Sequence, residues 1–598
     1  MFQTFEVTSS PETGPTRLTA LRAEMLVRKI DGFLVPRADR FQGEYVAPCD
    51  DRLAWLTGFT GSAGFACVLA DVAGVFIDGR YRVQVHSQVA DVFAPVHWPE
   101  TQLADWLKDQ SGISKLAFDP WLHTMAQIEA LQIGLSGTGI ALVPMDNLVD
   151  VIWSDRPTPP LAPFIDYSDD MAGETSRSKI TRLAAELRDA GQAAAFITSP
   201  DSVAWLLNIR GTDIARNPVP HAMALLKSDA DVALFCEQSQ AADLTLNENV
   251  TVVAAGQMVA TLVATTGPIR LDPDRAPFAI QEALAHDKII VGQDPCVLPK
   301  ARKTSAEIKG ARDAHLRDGA AMVRFLAWLD GEAPKGGLTE IDVVTALEGF
   351  RRDTNALRDI SFETICGAGP NGAIVHYRVN EDTNRSVNLG ELLLVDSGGQ
   401  YLDGTTDITR TITIGDVGPT EKACYTRVLQ GMIAISRARF PYFKSGGVAG
   451  SDLDALARYP LWLAGLDYDH GTGHGVGAYL SVHEGPQGLS RRAKTALEVG
   501  MILSNEPGYY REGAFGIRIE NLIVVTAANA ITGGDARDML DFETLTFVPL
   551  DRRLIDVTLL SSDERAWIDR YHSDTLKKIG PRVDGAALDW LIAACAPL

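Results

Sequence analysis

Two pairs of acidic residues in the C-terminal half of the chain lie where carboxylates are costly to accommodate. In ELLLVDSGGQYLDGTTDITRTITIG, residues 391–415, an apolar run, a glycine-rich segment and an alternating run predict a hairpin. A turn centred between Tyr401 and Leu402 would place Asp396 opposite Asp407. Two opposed carboxylates at the end of an apolar strand need a cation or a shared proton. Solvated turn aspartates are the structural alternative.

The second pair lies in GMILSNEPGYYREGAFGIRIENLIVVT, residues 500–526. Glu506 and Glu520 are symmetric about a glycine-containing turn, so a hairpin would bring them together. Glu520 lies inside an apolar run, where an unpaired glutamate is unfavourable. Its structural alternative is a salt bridge to Arg518, two positions away, because such residues share a face of a strand.

Three of the chain's 11 histidines occur in HGTGHGVGAYLSVHEGP, residues 470–486, together with five glycines. Four carboxylates and one imidazole, without a thiolate, favour Mn, Fe or Co, with Zn as a further candidate, and carry enough charge for two divalent ions. Two such ions about 3.5–4 Å apart can share one water, lower its pKa and polarise a carbonyl. A structural zinc site would instead close with Cys and His, so this set predicts a hydrolase.

The elements that must position these residues follow an internal repeat. The helix-then-strand segment TRLTALRAEMLVRKIDGFLV recurs as KITRLAAELRDAGQAAAFIT, and an AWL segment follows each copy. A proline-rich stretch at 155–170 and a capped amphipathic helix opening at Thr304 and Glu307 indicate boundaries. We predict an α/β protein with domains at 1–158, 159–300 and 301–598.

Composition excludes several classes of protein. The net charge of −22 argues against nucleic-acid binding, which needs clustered Lys and Arg. The N-terminus lacks an apolar core of a signal peptide, and no apolar run approaches about 18 residues, so we expect neither secretion nor a membrane span. The seven scattered cysteines without a CxxC pair indicate reduced thiols. We therefore expect a cytoplasmic protein.

The ordered motifs DSG, TTDITRT, HGTGHGVG, NEPGYY and GIRIEN resemble those of the pita-bread metallopeptidases, family M24. The resemblance is closest to the three-domain, cytosolic aminopeptidase P branch and covers essentially the whole chain. It implies two tandem creatinase-N-like α/β domains, followed by an α+β pita-bread catalytic domain with a C-terminal extension. In the first two domains the resemblance rests more on pattern than on motif.

The resemblance also implies a role for each residue of the site. Asp396 should bind one metal ion and His474 with Glu506 the other, while Asp407 and Glu520 bridge both. Glu506 should in addition accept a proton from the attacking water. The expected supporting residues include His376, on the strand before Asp396, for substrate binding, with a strand-edge histidine as its alternative. His470 should lie beside the proline-side pocket, His483 should donate to the oxyanion, and Arg518 should orient a ligand carboxylate. Tyr510 matches a further supporting position, for which packing is the alternative.

The reaction implied is that of a metalloprotease: hydrolysis of the X-Pro bond, releasing the N-terminal residue of peptides with proline in second position. The nucleophile would be a hydroxide bridging two divalent ions, with Mn²⁺ favoured and Zn²⁺ or Co²⁺ as alternatives. A homodimer is implied by the resemblance alone. The rival functions are a prolidase-type X-Pro dipeptidase, metal-free creatinase-type chemistry and a non-catalytic pita-bread binding module.

Overall fold

The computed structural model describes residues 1–443 and 446–598 and divides into two compact units. One unit is Thr8–Val297, and the other joins Met1–Val7 to Leu298–Leu598. Within the residues described, none of the helices combines the length and the apolar content needed to cross a bilayer. The domain boundaries near 158 and 300 stay predictions.

The unit Thr8–Val297 contains two six-stranded sheets built on one plan. The first, in the order β4-β3-β2-β1-β5-β6, contains β1 (Gly32–Pro36), β2 (Phe65–Leu69), β3 (Ala73–Ile77), β4 (Ala94–His97), β5 (Lys115–Phe118) and β6 (Ala141–Pro144). A short pair, β7 (Ile165–Asp166) and β9 (Ile209–Arg210), lies outside the sheets. The second sheet, in the order β12-β11-β10-β8-β13-β14, contains β8 (Ala194–Ile197), β10 (Met223–Lys227), β11 (Val232–Phe235), β12 (Val250–Val253), β13 (Ile269–Leu271) and β14 (Ile289–Val291).

The two sheets confirm the predicted repeat, because strand order and strand direction agree. The central strand β1 is antiparallel to β2 and parallel to β5, and β8 is antiparallel to β10 and parallel to β13. The helices of this unit are α1 (Gly14–Arg28), α2 (Arg52–Thr57), α3 (Val85–Gln88), α4 (Leu103–Lys108), α5 (Met125–Gly134), α6 (Leu148–Ile152), α7 (Asp169–Ala172), α8 (Ser176–Asp189), α9 (Pro200–Leu207), α10 (Met258–Ala264) and α11 (Phe278–Ala283).

The helix that precedes each central strand buries apolar residues at the same spacing. Leu18, Leu21 and Met25 of α1 are buried at positions i, i+3 and i+7. Ile180, Leu183 and Leu187 of α8 are buried at the same relative positions. One face of each helix therefore packs against its sheet, as the 3.6-residue period requires.

Within its described residues the second unit holds four sheets, two of which contain more residues than the other two. Its strands are β15 (Asp359–Ile360), β16 (Ile365–Ala368), β17 (Glu391–Ser397), β18 (Gly399–Tyr401), β19 (Gly404–Thr405), β20 (Ile408–Ile414), β21 (Phe440–Pro441), β22 (Gly473–Gly475), β23 (Glu484–Leu489), β24 (Ile502–Asn505), β25 (Gly508–Arg511), β26 (Phe515–Arg518), β27 (Asn521–Ala527) and β28 (Met539–Thr544). The larger sheets have the orders β16-β17-β20 and β21-β28-β27-β24-β22-β23. The smaller ones are β15-β18-β19 and β25-β26.

Pairs of helices cover the two larger sheets. The helices are α12 (Val297–Ala301), α13 (Ser305–Glu332), α14 (Glu340–Arg352), α15 (Pro419–Ser436), α16 (Gly450–Trp462), α17 (Ser562–Ile579) and α18 (Gly585–Ala594). Helices α13 and α14 share a core with β16, β17 and β20, and α15 and α16 share one with β24 and β27. The predicted capping box starts α13, since Thr304 Oγ1 accepts from Glu307 N at 3.2 Å and Glu307 Oε2 accepts from Thr304 N at 2.8 Å.

Candidate metal centre

The five predicted metal ligands come from the two larger sheets of the second unit. Asp396 lies in β17 and Asp407 directly before β20. His474 lies in β22, Glu506 directly after β24 and Glu520 directly before β27. A backbone hydrogen bond from Glu520 N to Thr409 O, 3.1 Å long, connects the two strand systems. Residues that are 124 positions apart in sequence therefore meet in one place.

The first hairpin corrects the predicted register. Asp396 lies opposite Thr409, not Asp407, and Tyr401 lies opposite Gly404, so the turn is centred between Leu402 and Asp403, one residue later than predicted. Gly404 belongs to strand β19 and is needed for close packing on α13, because a Cβ there would lie 3.2 Å from Ala314 Cβ. The solvated-turn alternative is also wrong, since Asp396 and Asp407 are only 7% and 3% exposed.

The second hairpin confirms the predicted symmetry of Glu506 and Glu520. Ile502 pairs with Val524 and Gly508 pairs with Arg518, so both ladders share the centre about which the two glutamates are symmetric. The glutamates lie at the two ends of the β25–β26 hairpin, where the chain leaves one sheet and enters another. Because both glutamates lie between strands, their side chains need not follow the alternation of side-chain direction along a strand.

Arg518 forms its salt bridge with Asp396. The structural alternative for Glu520, a salt bridge to Arg518, is therefore wrong. Arg518 Nη2 donates to Asp396 Oδ2 at 2.6 Å. Glu520 Oε2 instead accepts from Thr409 Oγ1 at 2.8 Å. Because Arg518 ends β26 and Glu520 precedes β27, the two residues do not share one strand face.

The ligand atoms converge closely enough for metal binding. One ligand atom each of Asp407, His474 and Glu520 lie within 4.8 Å of one another. His474 Nε2 is 3.5 Å from both Asp407 Oδ2 and Glu506 Oε1. His474 Nδ1 lies 2.9 Å from Gly475 O, which indicates that Nδ1 carries the proton and Nε2 faces the carboxylates. These residues form a candidate metal-binding cluster.

Three buried oxygens of this cluster lack a hydrogen-bond donor among the residues described: Asp396 Oδ1, Asp407 Oδ1 and Glu520 Oε1. A buried carboxylate oxygen without a partner costs free energy, and a cation removes that cost. Four carboxylates face one arginine here, so the local charge is strongly negative. The donors fit one or two divalent cations that prefer oxygen with some nitrogen.

Burial and the neighbouring charges shift the pKa values of these groups. Burial, opposed by Arg518 and reinforced by Asp407 and Glu506, raises the pKa of Asp396 to about 6. Burial and the charges of Asp407, Asp396 and Glu506 raise the pKa of Glu520 well above its ordinary value. For His474 burial acts in the opposite direction, but Asp407 and Glu506 outweigh it and raise the pKa to about 9.

We expect Mn²⁺ to raise the melting temperature more at about pH 7.5 than at about pH 5. The folded-state pKa of Asp396, about 6, exceeds its ordinary value of 3.8. The stability that its protonation supplies is present below about pH 4 and is lost as the pH rises through about 6. Above that window the carboxylates repel each other, and a divalent ion relieves the repulsion. Thermal unfolding of EDTA-treated protein, with and without Mn²⁺, measures this; equal shifts at both pH values would contradict it.

A chain of hydrogen bonds links the centre to His470. Arg518, bound to Asp396, also donates from Nη1 to Tyr510 Oη at 2.6 Å. Tyr510 Oη is 2.9 Å from His470 Nε2. Because an arginine can only donate, the tyrosine accepts from Arg518 and can direct its own hydrogen to His470. Packing alone, the alternative for Tyr510, therefore does not describe its contacts.

The structure also brings the other two predicted histidines to this region. His483 lies directly before β23, and its ring meets that of His474 edge to face at a centroid distance of 4.2 Å. His376 lies in a turn that follows a short 3₁₀ helix at Gly369–Ala373, so the predicted strand placement is wrong. Its neighbour Val375 accepts a hydrogen bond from Arg518 Nη1 at 3.3 Å.

Two hydroxyl residues in direct contact with the centre were missed in the sequence. Thr409 donates to Glu520 and accepts from Arg518 Nε at 3.2 Å. Ser504 accepts from His474 N at 2.9 Å and donates to Glu506 Oε1 at 3.2 Å. Asp407 and Thr409 are two positions apart in an alternating run, so the period of a strand was a usable signal for Thr409. Ser504 and Glu506 are also two positions apart, but the segment ILSNEP that contains them does not alternate between apolar and polar residues.

Comparison with known proteins places this centre in a family. Residues 309–527 match metallopeptidase family M24, and residues 538–598 match the C-terminal region of peptidase M24. Over 603 residues the chain is 38% identical to a protein of Laccaria bicolor named "Probable Xaa-Pro aminopeptidase P", covering 97% of this chain and 93% of that protein. The chain belongs to metallopeptidase family M24. Residues 17–152 and 155–307 each match the creatinase/prolidase N-terminal domain, so this M24 protein carries two such domains.

Two further relatives agree with this assignment. "Aminopeptidase P2" of Arabidopsis thaliana is 38% identical over 619 residues, covering 95% of this chain and 86% of that protein. The crystal structure of an X-prolyl aminopeptidase from Caenorhabditis elegans, described as a cytosolic enzyme with a di-nuclear active site, superimposes with a TM-score of 0.92 at 32% identity. It covers 98% of this chain and 100% of the nematode chain. The predicted architecture, two creatinase-N-like α/β domains before a pita-bread domain, is confirmed.

Proposed function

We propose that this M24 protein is a metal-dependent aminopeptidase that hydrolyses the X-Pro bond and releases the N-terminal residue of peptides with proline in second position. The observation that carries the proposal is the cluster of Asp407, His474 and Glu520, with Glu506 beside His474 and Asp396 nearby, in a chain that also carries two creatinase/prolidase N-terminal domains. A binding module would not need three buried oxygens that lack donors. Creatinase-type chemistry without a metal would leave them equally unsatisfied.

Two divalent ions fit the charge of the cluster, and we favour Mn²⁺, with Zn²⁺ or Co²⁺ as alternatives, because the donors are mostly hard oxygen. Asp396 would hold one ion and His474 with Glu506 the other, while Asp407 and Glu520 would touch both. When bound, such a pair lowers the pKa of water toward neutral and polarises a carbonyl. Arg518 keeps Asp396 oriented through its 2.6 Å bond, and Thr409 does the same for Glu520.

The remaining side chains divide the work of binding and proton transfer. Glu506 accepts a proton from the attacking water at its carboxylate and delivers it to the proline nitrogen that leaves. His483, beside His474, donates a hydrogen bond to the oxygen on which negative charge develops. His376 binds the substrate, and His470 lies on the side of the proline ring, held there by Tyr510.

The chemistry of the X-Pro bond explains why the site must recognise the proline by the shape of its ring more than by hydrogen bonds. The amide nitrogen of an X-Pro bond carries no hydrogen, so a peptidase cannot recognise it through a donor on the substrate. The histidine and tyrosine rings near Arg518 offer flat surfaces suited to a pyrrolidine ring. His470 and Tyr510 have ring centroids 5.4 Å apart.

We place the enzyme in the cytoplasm, acting on peptides and not on nucleic acid or membranes. All seven cysteines lie in the described part of the chain, are buried and form no disulfide bonds, which suits a reducing compartment. The nematode relative is described as cytosolic. A homodimer is the expected assembly, and light scattering of the purified protein tests it.

The function is tested by one matched assay on protein that is stripped of metal and reconstituted with Mn²⁺. We expect release of arginine from Arg-Pro-Pro, weak release from Arg-Pro and none from Arg-Ala-Ala. A strong preference for the dipeptide would make the protein a prolidase-type dipeptidase. Metal binding without hydrolysis of any of the three would favour the binding module.

A further inference from the structure

A buried ion pair on α16 lies directly behind the loop that carries His470. Asp454 and Arg458 are one helical turn apart, and each is less than 5% exposed. Arg458 Nε donates to Asp454 Oδ2 at 2.8 Å. A buried ion pair stabilises a fold only modestly, because desolvation offsets most of the attraction. The other contacts of Asp454 and Arg458, with the loop that carries His470, therefore indicate the role of the pair.

The guanidinium of Arg458 contacts His470 by two routes. It donates from Nη2 to the backbone carbonyl of His470 at 2.7 Å and from Nη1 to that of Tyr468 at 2.6 Å. It also lies over the Tyr468 ring, 3.9 Å from the centroid, and that ring is 4.8 Å from the imidazole of His470. Arg458 thus holds both the backbone and the aromatic neighbour of this histidine.

The carboxylate of Asp454 extends the same network toward Glu506. Asp454 Oδ1 accepts from Thr472 Oγ1 at 2.6 Å. The backbone carbonyl of Thr472 accepts from Glu506 N at 2.8 Å. Through these contacts the ion pair connects the loop that carries His470 to Glu506, the residue that directly follows β24.

We propose that Arg458, anchored by Asp454, is a positioning residue that fixes His470 against Tyr510 and so controls engagement of the proline side of the substrate. This inference rests on the proposed function of the same site. An arginine is required because its planar group donates in several directions at once. A lysine carries its three N–H donors on one nitrogen, whereas Arg458 contacts Asp454 and the two loop carbonyls through three separate nitrogens.

A double-mutant cycle with Arg458→Lys and His470→Ala tests the inference on Mn²⁺-reconstituted enzyme. In the wild-type background Arg458→Lys should lower kcat/KM for Arg-Pro-Pro by up to about 100-fold, the cost of a misplaced group. In the His470→Ala background the same change should cost less than about threefold, since the residue acts through the histidine. Equal losses in both backgrounds would assign Arg458 a general structural role and overturn the inference.

The matched control is Asp467→Asn. It weakens the outer contact of Arg458 Nη1, 2.9 Å from Asp467 Oδ1, and leaves both carbonyl contacts in place, so kcat/KM should stay near that of the wild type. If Arg458→Lys does not fold, Asp454→Asn enters the same cycle with the same expectation. A large loss of kcat/KM in Asp467→Asn would contradict the assignment of the effect to the contacts of Arg458 with Asp454 and the two loop carbonyls.

A crystal structure of the Arg458→Lys variant separates this inference from the proposed function. The distance from His470 Nε2 to Tyr510 Oη, 2.9 Å in the native chain, should exceed hydrogen-bond range. A retained contact would overturn the positioning role whatever the activity. Wild-type protein that hydrolyses no peptide would instead contradict the proposed function and leave the displacement as the test of positioning.

Discussion

Asp407→Asn is expected to abolish peptide hydrolysis, by at least about 1,000-fold in kcat, while the fold stays intact. Asp407 is 3% exposed and lies within reach of His474 and Glu520, so we expect it to touch both ions. An amide offers one neutral oxygen where the carboxylate offers two charged ones, and so it cannot hold two cations together. Activity with Arg-Pro-Pro and metal content by mass spectrometry measure the loss.

The control for this change is Asp403→Asn in the same hairpin. Asp403 forms a partly exposed ion pair with Arg317, at 2.7 Å between Oδ2 and Nη2, and such pairs contribute little. Activity and metal content should therefore stay near wild-type values. Retained activity in Asp407→Asn, with metal still bound, would show that the centre lies elsewhere.

His483→Ala is expected to lower kcat about 100- to 1,000-fold with metal content unchanged, the effect of removing one donor to an oxyanion. The ring of His483 packs edge to face on that of the expected ligand His474, so it faces the centre from outside the ligand set. Steady-state kinetics with Arg-Pro-Pro determine kcat and KM separately. An effect confined to KM would show that His483 binds substrate in the ground state.

The exposed His97 provides the comparison, since it lies in β4 of the other unit. His97→Ala should leave kcat, KM and metal content unchanged. A loss of metal in His483→Ala would contradict the oxyanion role and make this residue a ligand or its direct support.

Local patterns were sufficient for much of this molecule. The period of 3.6 residues located α1 and α8, and their repetition predicted two sheets of one plan, which the strand orders confirm. The capping box located the start of α13. Symmetry about a short glycine-containing turn was enough to place Glu506 and Glu520 at equivalent positions, because both ladders of this hairpin keep the same centre.

Contacts between elements that are distant in sequence could not be predicted from these local patterns. Gly404 packs against α13, a helix that ends 72 positions earlier in the chain, and the centre of this hairpin lies one residue later than its turn pattern predicted. Arg518 reaches Asp396 across two sheets, while its sequence neighbour Glu520 turns to Thr409. The Arg458 network supports the centre from a helix whose position no sequence spacing relates to it.

The sequence by itself determined the chemistry available to this protein: which residues can bind divalent ions and that oxygen ligands dominate. Only the tertiary structure decided which oxygen of each carboxylate is paired and which is left for a cation. Types and spacing act along one strand or one turn, where backbone geometry sets the distances. The orientation of a side chain at the junction of two sheets depends instead on how helices and strands from distant segments pack, and that packing is fixed only in the folded chain.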